Sequence, residues 1–119
     1  MIVENFSFNK IVGDKKYAYF YRMLKKSISI PCRNEFIQVQ SYGIEVERQD
    51  ILNNKLVNVE RECIENISPE RYKVHNLLKL LYDNKVSPLH LVDVIGDYVE
   101  RNGIKKPTKL KAIWNLPEG

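Results

Sequence analysis

Near Ser68 the spacing of apolar side chains changes from every second residue to every third or fourth. That one change dictates strands before it and helices after it. Upstream, short runs rich in Val, Ile, Tyr and Phe are divided by turn residues. Downstream, Val74, Leu77, Leu78 and Leu81 form one helical stripe, and Leu91 or Val92, Ile95, Tyr98 and Val99 form a second. Ser68-Pro69-Glu70 offers a capping hydroxyl, a proline suited to the first helical position and an acid at the positive end of the dipole, so the first helix is expected to start there. Ser87-Pro88 repeats the device, and Asn102-Gly103 supplies a left-handed cap for the second helix. A connection of about four residues makes the two helices an αα-hairpin.

Among the strands, Ile2 to Val12 is expected to be the first, with a turn at Gly13-Asp14-Lys15. In the next, Tyr17, Tyr19, Tyr21 and Met23 share one parity while Ala18, Phe20, Arg22 and Leu24 share the other, the pattern of a central strand contacted on both sides. Pro31, lacking an amide proton, is expected to end its pairing. The third strand runs from Glu35 to Arg48, and its apolar parity switches between Ile37/Val39 and Tyr42/Ile44/Val46. An extra residue near Tyr42-Gly43 would restore one buried face, which predicts a β-bulge there. Gln49 to Lys55 reads as a hairpin loop, followed by a strand with Val57, Val59 and Cys63 inward and Asn58, Glu60 and Glu62 toward water. Glu45, Glu47, Glu60 and Glu62 then line one solvated sheet face opposite Arg48 and Arg61. The expected architecture is a single α+β domain over residues 1–103: an antiparallel four- to five-stranded meander followed by a C-terminal αα-hairpin packed on one sheet face. Residues 104–119 form a basic C-terminal tail, ordered only if Leu110, Ile113 and Trp114 dock.

With 119 residues the chain has room for one ordinary core, which argues against a multidomain enzyme. Its apolar runs fall far short of the roughly 20 residues of a membrane span, and the acidic start Met1-Ile2-Val3-Glu4-Asn5 does not resemble a secretion signal. The expected location is the cytoplasm, with Cys32 and Cys63 as reduced thiols. His75 and His90 stand apart from other donors, and the five glycines are scattered, so no metal, cofactor or catalytic group is expected. An enzyme would have to use Cys32 or His90.

Charge is distributed unevenly. Residues 1–26 hold six basic and two acidic side chains, residues 27–100 are net acidic, and residues 101–119 hold five basic and one acidic. Lys15, Lys16, Arg22, Lys25 and Lys26 interleave with Tyr17, Tyr19, Phe20 and Tyr21, and the C-terminal end adds Arg101, Lys105, Lys106, Lys109 and Lys111 with Trp114. The main expectation is a small non-enzymatic protein-binding or regulatory domain, its partner another protein or itself as a homodimer. The contact residues expected are Tyr17, Tyr19, Tyr21, Arg22 and Lys25, with Lys105, Lys106 and Trp114 as a second patch. The alternative is a nucleic-acid-binding regulator that turns the same groups to phosphates and bases. Asp93, Asp97 and Glu100 on the second helix would repel phosphate, which favours the protein partner.

The segments Ser41-Tyr42-Gly43-Ile44-Glu45-Val46-Glu47, Ile64-Glu65-Asn66-Ile67-Ser68-Pro69 and Val86-Ser87-Pro88-Leu89-His90-Leu91-Val92-Asp93-Val94-Ile95 resemble a family of short Gram-positive bacterial proteins of unknown function. The resemblance covers residues 15 to 100 and implies a bacterial cytoplasmic protein. It brings no activity, cofactor or site residue with it.

Overall fold

Four strands, β1 (Ile2–Val12), β2 (Lys15–Cys32), β3 (Glu35–Leu52) and β4 (Lys55–Ser68), precede two helices, α1 (Arg71–Asp83) and α2 (Leu91–Asn102). A 3-10 turn at Pro88–His90 leads into α2. The computed structural model describes residues 1–102; the expected tail, with Lys105, Lys106 and Trp114, and the cap at Gly103 lie outside them. Each strand pairs antiparallel with its sequence neighbour, in the order β1-β2-β3-β4. The result is an open meander followed by two helices, an α+β arrangement with four strands among the described residues.

Short turns make the long strands possible. Asn53 and Asn54 sit at φ +51° and +62°, the pair of left-handed conformations that a tight two-residue hairpin requires and that asparagine tolerates. The expected loop from Gln49 to Lys55 therefore shrinks to these two residues, and its flanks join the ladder. Arg33, at φ +57°, turns β2 into β3.

Residues paired across neighbouring strands point to the same side, so the register sorts the sheet into two faces. The first carries Phe6 and Phe8 of β1, Tyr19, Tyr21 and Met23 of β2, Tyr42, Ile44 and Val46 of β3, and Ile64 of β4. One hydrophobic cluster joins these residues to Val74, Leu77, Leu78 and Leu81 of α1 and to Leu91, Ile95 and Val99 of α2. Both helical stripes are those expected from the spacing. Tyr82 meets Tyr21 edge-on at 5.8 Å, and the Tyr21 hydroxyl donates to the Val86 carbonyl at 2.8 Å. Glu4 of β1 holds His75 Nδ1 at 2.6 Å.

Several local expectations are corrected. Helix α1 begins at Arg71, while Ser68 stays in β4; its hydroxyl accepts the Glu70 N–H at 3.1 Å, ahead of the helix. Pairing runs through Pro31, opposite Phe36, and on to Cys32. Here β2 belongs to a two-stranded ribbon, whose outer side has no ladder for a proline to interrupt.

The bulge lies across from its expected place. β2 pairs with β3 through Gly43 without a break, and the extra residues are in β4, around Asn66 at φ +55°. Gly43 serves close approach: a Cβ there would stand 2.5 Å from the Ile64 carbonyl oxygen. The parity switch in β3 records a change of face, with Ile37 and Val39 on the side opposite Ile44 and Val46. In β4, Val57 and Val59 are exposed, whereas Glu60 and Glu62 are partly buried on the first face. The expected single row of carboxylates is thus split, because Glu45 and Glu47 lie on the second.

Candidate functional site

The second face has a charged centre and apolar ends. At its centre Arg22 of β2 reaches Glu45 at 2.8 Å and Glu47 at 3.6 Å. Arg61 of β4 donates from Nε to Glu47 Oε1 at 2.7 Å, and Gln49 donates to Glu47 Oε2 at 2.8 Å. Glu47 is only 2% exposed although it faces away from the core cluster. Burial opposes its ionisation, but the hydrogen bonds from Arg61 and Gln49 and the charges of Arg22 and Arg61 outweigh that cost and hold its pKa below the ordinary carboxylate value. Two cations and two anions balance. Phe20 lies under the Arg22 guanidinium, 4.9 Å from ring centroid to Cζ.

On one side of this centre are Ile11, Ile51, Leu56 and Val59, with Val57 at a register irregularity of β4 between Leu56 and Asn58. On the other, the β2–β3 hairpin runs on alone: β1 pairs no further along β2 than Leu24, and β4 no further along β3 than Tyr42. Residues 27–40 therefore form a two-stranded arm. Its two sides differ in chemistry over residues 27–30 and 37–40, while at the tip Phe36, opposite Pro31, joins the polar side and Glu35, opposite Cys32, the apolar one. Ser27, Gln38 and Ser29 link up on one side, with Ser27 donating to Gln38 at 3.1 Å and Gln38 donating to Ser29 at 2.5 Å. On the other side Ile28 pairs with Val39 and Ile30 with Ile37, continuous with the second face. Ile30 and Ile37 are 39% and 45% exposed, and Leu56, Val57 and Ile11 more so. Isolated exposed apolar residues are ordinary, whereas these fall into two groups on one sheet face, one at either end of the charged centre.

The sheet divides the contact residues expected from the sequence. Tyr21 is wholly buried, and burial pushes its phenol pKa upward, so it serves the core. Tyr19 stacks on Phe8 at 4.6 Å, and Tyr17 lies 5.8 Å from the Arg48 guanidinium, both on the first face. Lys25 shares their parity and is bonded through its backbone to Met1. Arg22 points the opposite way, into its two carboxylates. No single patch of tyrosine and cation forms from these residues. Lys105, Lys106 and Trp114 lie outside the described residues.

Among the described residues no group of three or more His, Cys, Asp or Glu side chains is arranged to hold a metal. His75 is engaged with Glu4, His90 is exposed on the 3-10 turn, Cys32 is exposed on the arm and Cys63 is half-buried. No helix among the described residues is long and apolar enough to cross a membrane.

A family model described as "Family of unknown function (DUF6514)" matches residues 1–101, which is to say every strand and nearly all of α2. The chain belongs to this family. The match to DUF6514 takes in β1, which the sequence resemblance from residue 15 onward did not. No curated protein and no solved structure matches the chain.

The residues that sequence reasoning overlooked are Ile28, Ile30, Ile37 and Val39. Their signal was present in the parity of β3: an antiparallel register that sets Ile37 against Ile30 and Val39 against Ile28 makes one apolar stripe without any bulge.

Proposed function

We propose that this member of DUF6514 is a small non-enzymatic protein-binding module of the bacterial cytoplasm, and that it binds through the second sheet face and the arm. One observation carries the reading: one side of the arm sets Ile28, Ile30, Ile37 and Val39 together on an open surface, and further exposed Leu and Val residues lie on the same sheet face beyond the charged centre. The helix pair, read as an αα-hairpin laid on the first face, leaves the second free for a partner. The bacterial and cytoplasmic setting follows from the sequence resemblance.

The test is affinity isolation on the immobilised full chain from nuclease-treated bacterial lysate, with Ile37→Asp and Val59→Asp in parallel. A protein retained by the parent chain and lost with both variants is the expected result. Retention of nucleic acid alone, weakening steeply with salt and indifferent to both variants, would replace this reading with a nucleic-acid-binding one.

A further inference from the structure

We infer that the occupant of the second face is another copy of the same chain, docked arm on arm about a two-fold axis that runs along the β2–β3 hairpin between its strands. The inference rests on the protein-binding reading above and names its partner. A two-stranded ribbon is marginal in water unless a further layer covers its apolar side. Residues 27–40 are such a ribbon, and their apolar side carries Ile28, Ile30, Ile37 and Val39, with Cys32 and Glu35 at the tip.

The register makes that side complementary to itself. Across the hairpin, Ile30 pairs with Ile37, Ile28 with Val39, and Arg22 with Glu45. A two-fold axis along the hairpin exchanges the positions of β2 and β3. It sets Ile30 over Ile37 of the second copy, Ile28 over Val39, and Arg22 over Glu45. Apolar therefore meets apolar in the arm, and at the centre Arg22 meets Glu45, with Phe20 over Glu47 in the next row. The other face-to-face arrangement has its axis across the strands. With that axis at the central row, Arg22 would lie over Arg22 and Glu45 over Glu45, a like-charge juxtaposition that costs affinity.

Packed sheets face each other at about 10 Å, a distance that side chains of this size fill from both sides. A stable interface takes about 800 Å² from each partner, about a tenth of the 7933 Å² surface. The molecule extends 59 × 36 Å in its two longer dimensions, ample for that area.

The experiment is sedimentation equilibrium on the purified full chain over a wide concentration range, followed by cross-linking to fix the orientation. The parent chain should sediment with the mass of two chains. Ile30→Asp and Ile37→Asp should each weaken association by about thirtyfold or more, as loss of a central interface residue does, with the far-UV spectrum and melting of the core retained. For orientation, Cys32→Ser and Cys63→Ser give a background without thiols. In it, chains carrying Ile30→Cys and chains carrying Ile37→Cys, mixed, should be joined by a short bis-maleimide. Chains carrying Ile30→Cys and chains carrying Ile51→Cys should not.

Single-chain mass at every concentration overturns the inference. If such a monomer still retains a lysate protein that Ile37→Asp releases, the module reading survives with a different partner. A dimer unaffected by both aspartate variants also overturns the inference, because its interface then lies elsewhere.

Discussion

The two faces of this sheet show two ways of keeping a side chain from water. On the first, Ile44, Val46 and Ile64 are fully buried within a cluster that includes residues of both helices. On the second, Glu47 reaches nearly the same burial beneath side chains of its own sheet, with Arg22, Arg61 and Gln49 around its carboxylate. The first arrangement draws its stability from apolar area removed from water. The second needs every donor in place, because a buried carboxylate without partners is costly. A cluster of charges can thus close the middle of an open sheet and leave apolar ground at both ends.

The sharpest way to break this contrast is truncation. Ile64→Ala should cost about 2–5 kcal/mol, the range for a core cavity, whereas Val59→Ala, exposed on the second face, should cost about 0.5 kcal/mol or less. Urea unfolding measures both, and equal losses would mean that the faces do not differ as described. Next in size is Gly43→Ala. Its added methyl meets backbone, with the Ile64 carbonyl oxygen at 2.5 Å and Glu65 Cα at 2.9 Å, so the strands must separate at a cost of about 1–3 kcal/mol.

Acid probes the charged centre. Glu47 and Asp50 both ionise more readily in the fold than free carboxylates: burial opposes ionisation in each, and hydrogen bonds from Arg61 and Gln49, or from Arg48 and Asn58, override it. Their stabilisation is fully present above the ordinary values of 4.5 and 3.8 and is lost as pH falls through the lower folded values. The urea midpoint should therefore drop in that window. Glu47→Gln should make the drop shallower while lowering stability at neutral pH, by about 1.5–3 kcal/mol if its charge-assisted hydrogen bonds behave as usual. An unchanged pH profile in Glu47→Gln would show that the centre contributes nothing. The smallest effect is expected from Tyr21→Phe, which removes the bond to the Val86 carbonyl and should cost about 1 kcal/mol by the same assay.

Much of the fold was legible because periodicity reports local geometry directly. The α1 stripe of Val74, Leu77, Leu78 and Leu81 is buried as the spacing required, and the bounds of β1 are those read from the sequence. What escaped is nonlocal. Val57 and Val59 alternate correctly for a strand, yet nothing within β4 says which side the helices will take. The same ambiguity misplaced the tyrosines of β2: their parity is plain, but it points toward the core and away from Arg22. In β3 the assumption of one buried face put the extra residue in the wrong strand: the ladder is irregular at Tyr42 to Ile44 as expected, but the residues in excess belong to β4. Gly43 was singled out correctly for a wrong reason, since its role depends on the backbone of β4 passing close by. A sequence states parity, while the identity of the covered face depends on contacts made far along the chain.

The strand order β1-β2-β3-β4 also bears on how the molecule comes into being. Every ladder joins neighbours in the chain, with no crossover, so pairing can spread outward from each tight turn as soon as its two flanks exist. During synthesis the long β2–β3 hairpin can close before the residues of either helix have been made. Until α1 arrives, its first face is as bare as its second, and the side that will hold Ile44 and Val46 stands open to water.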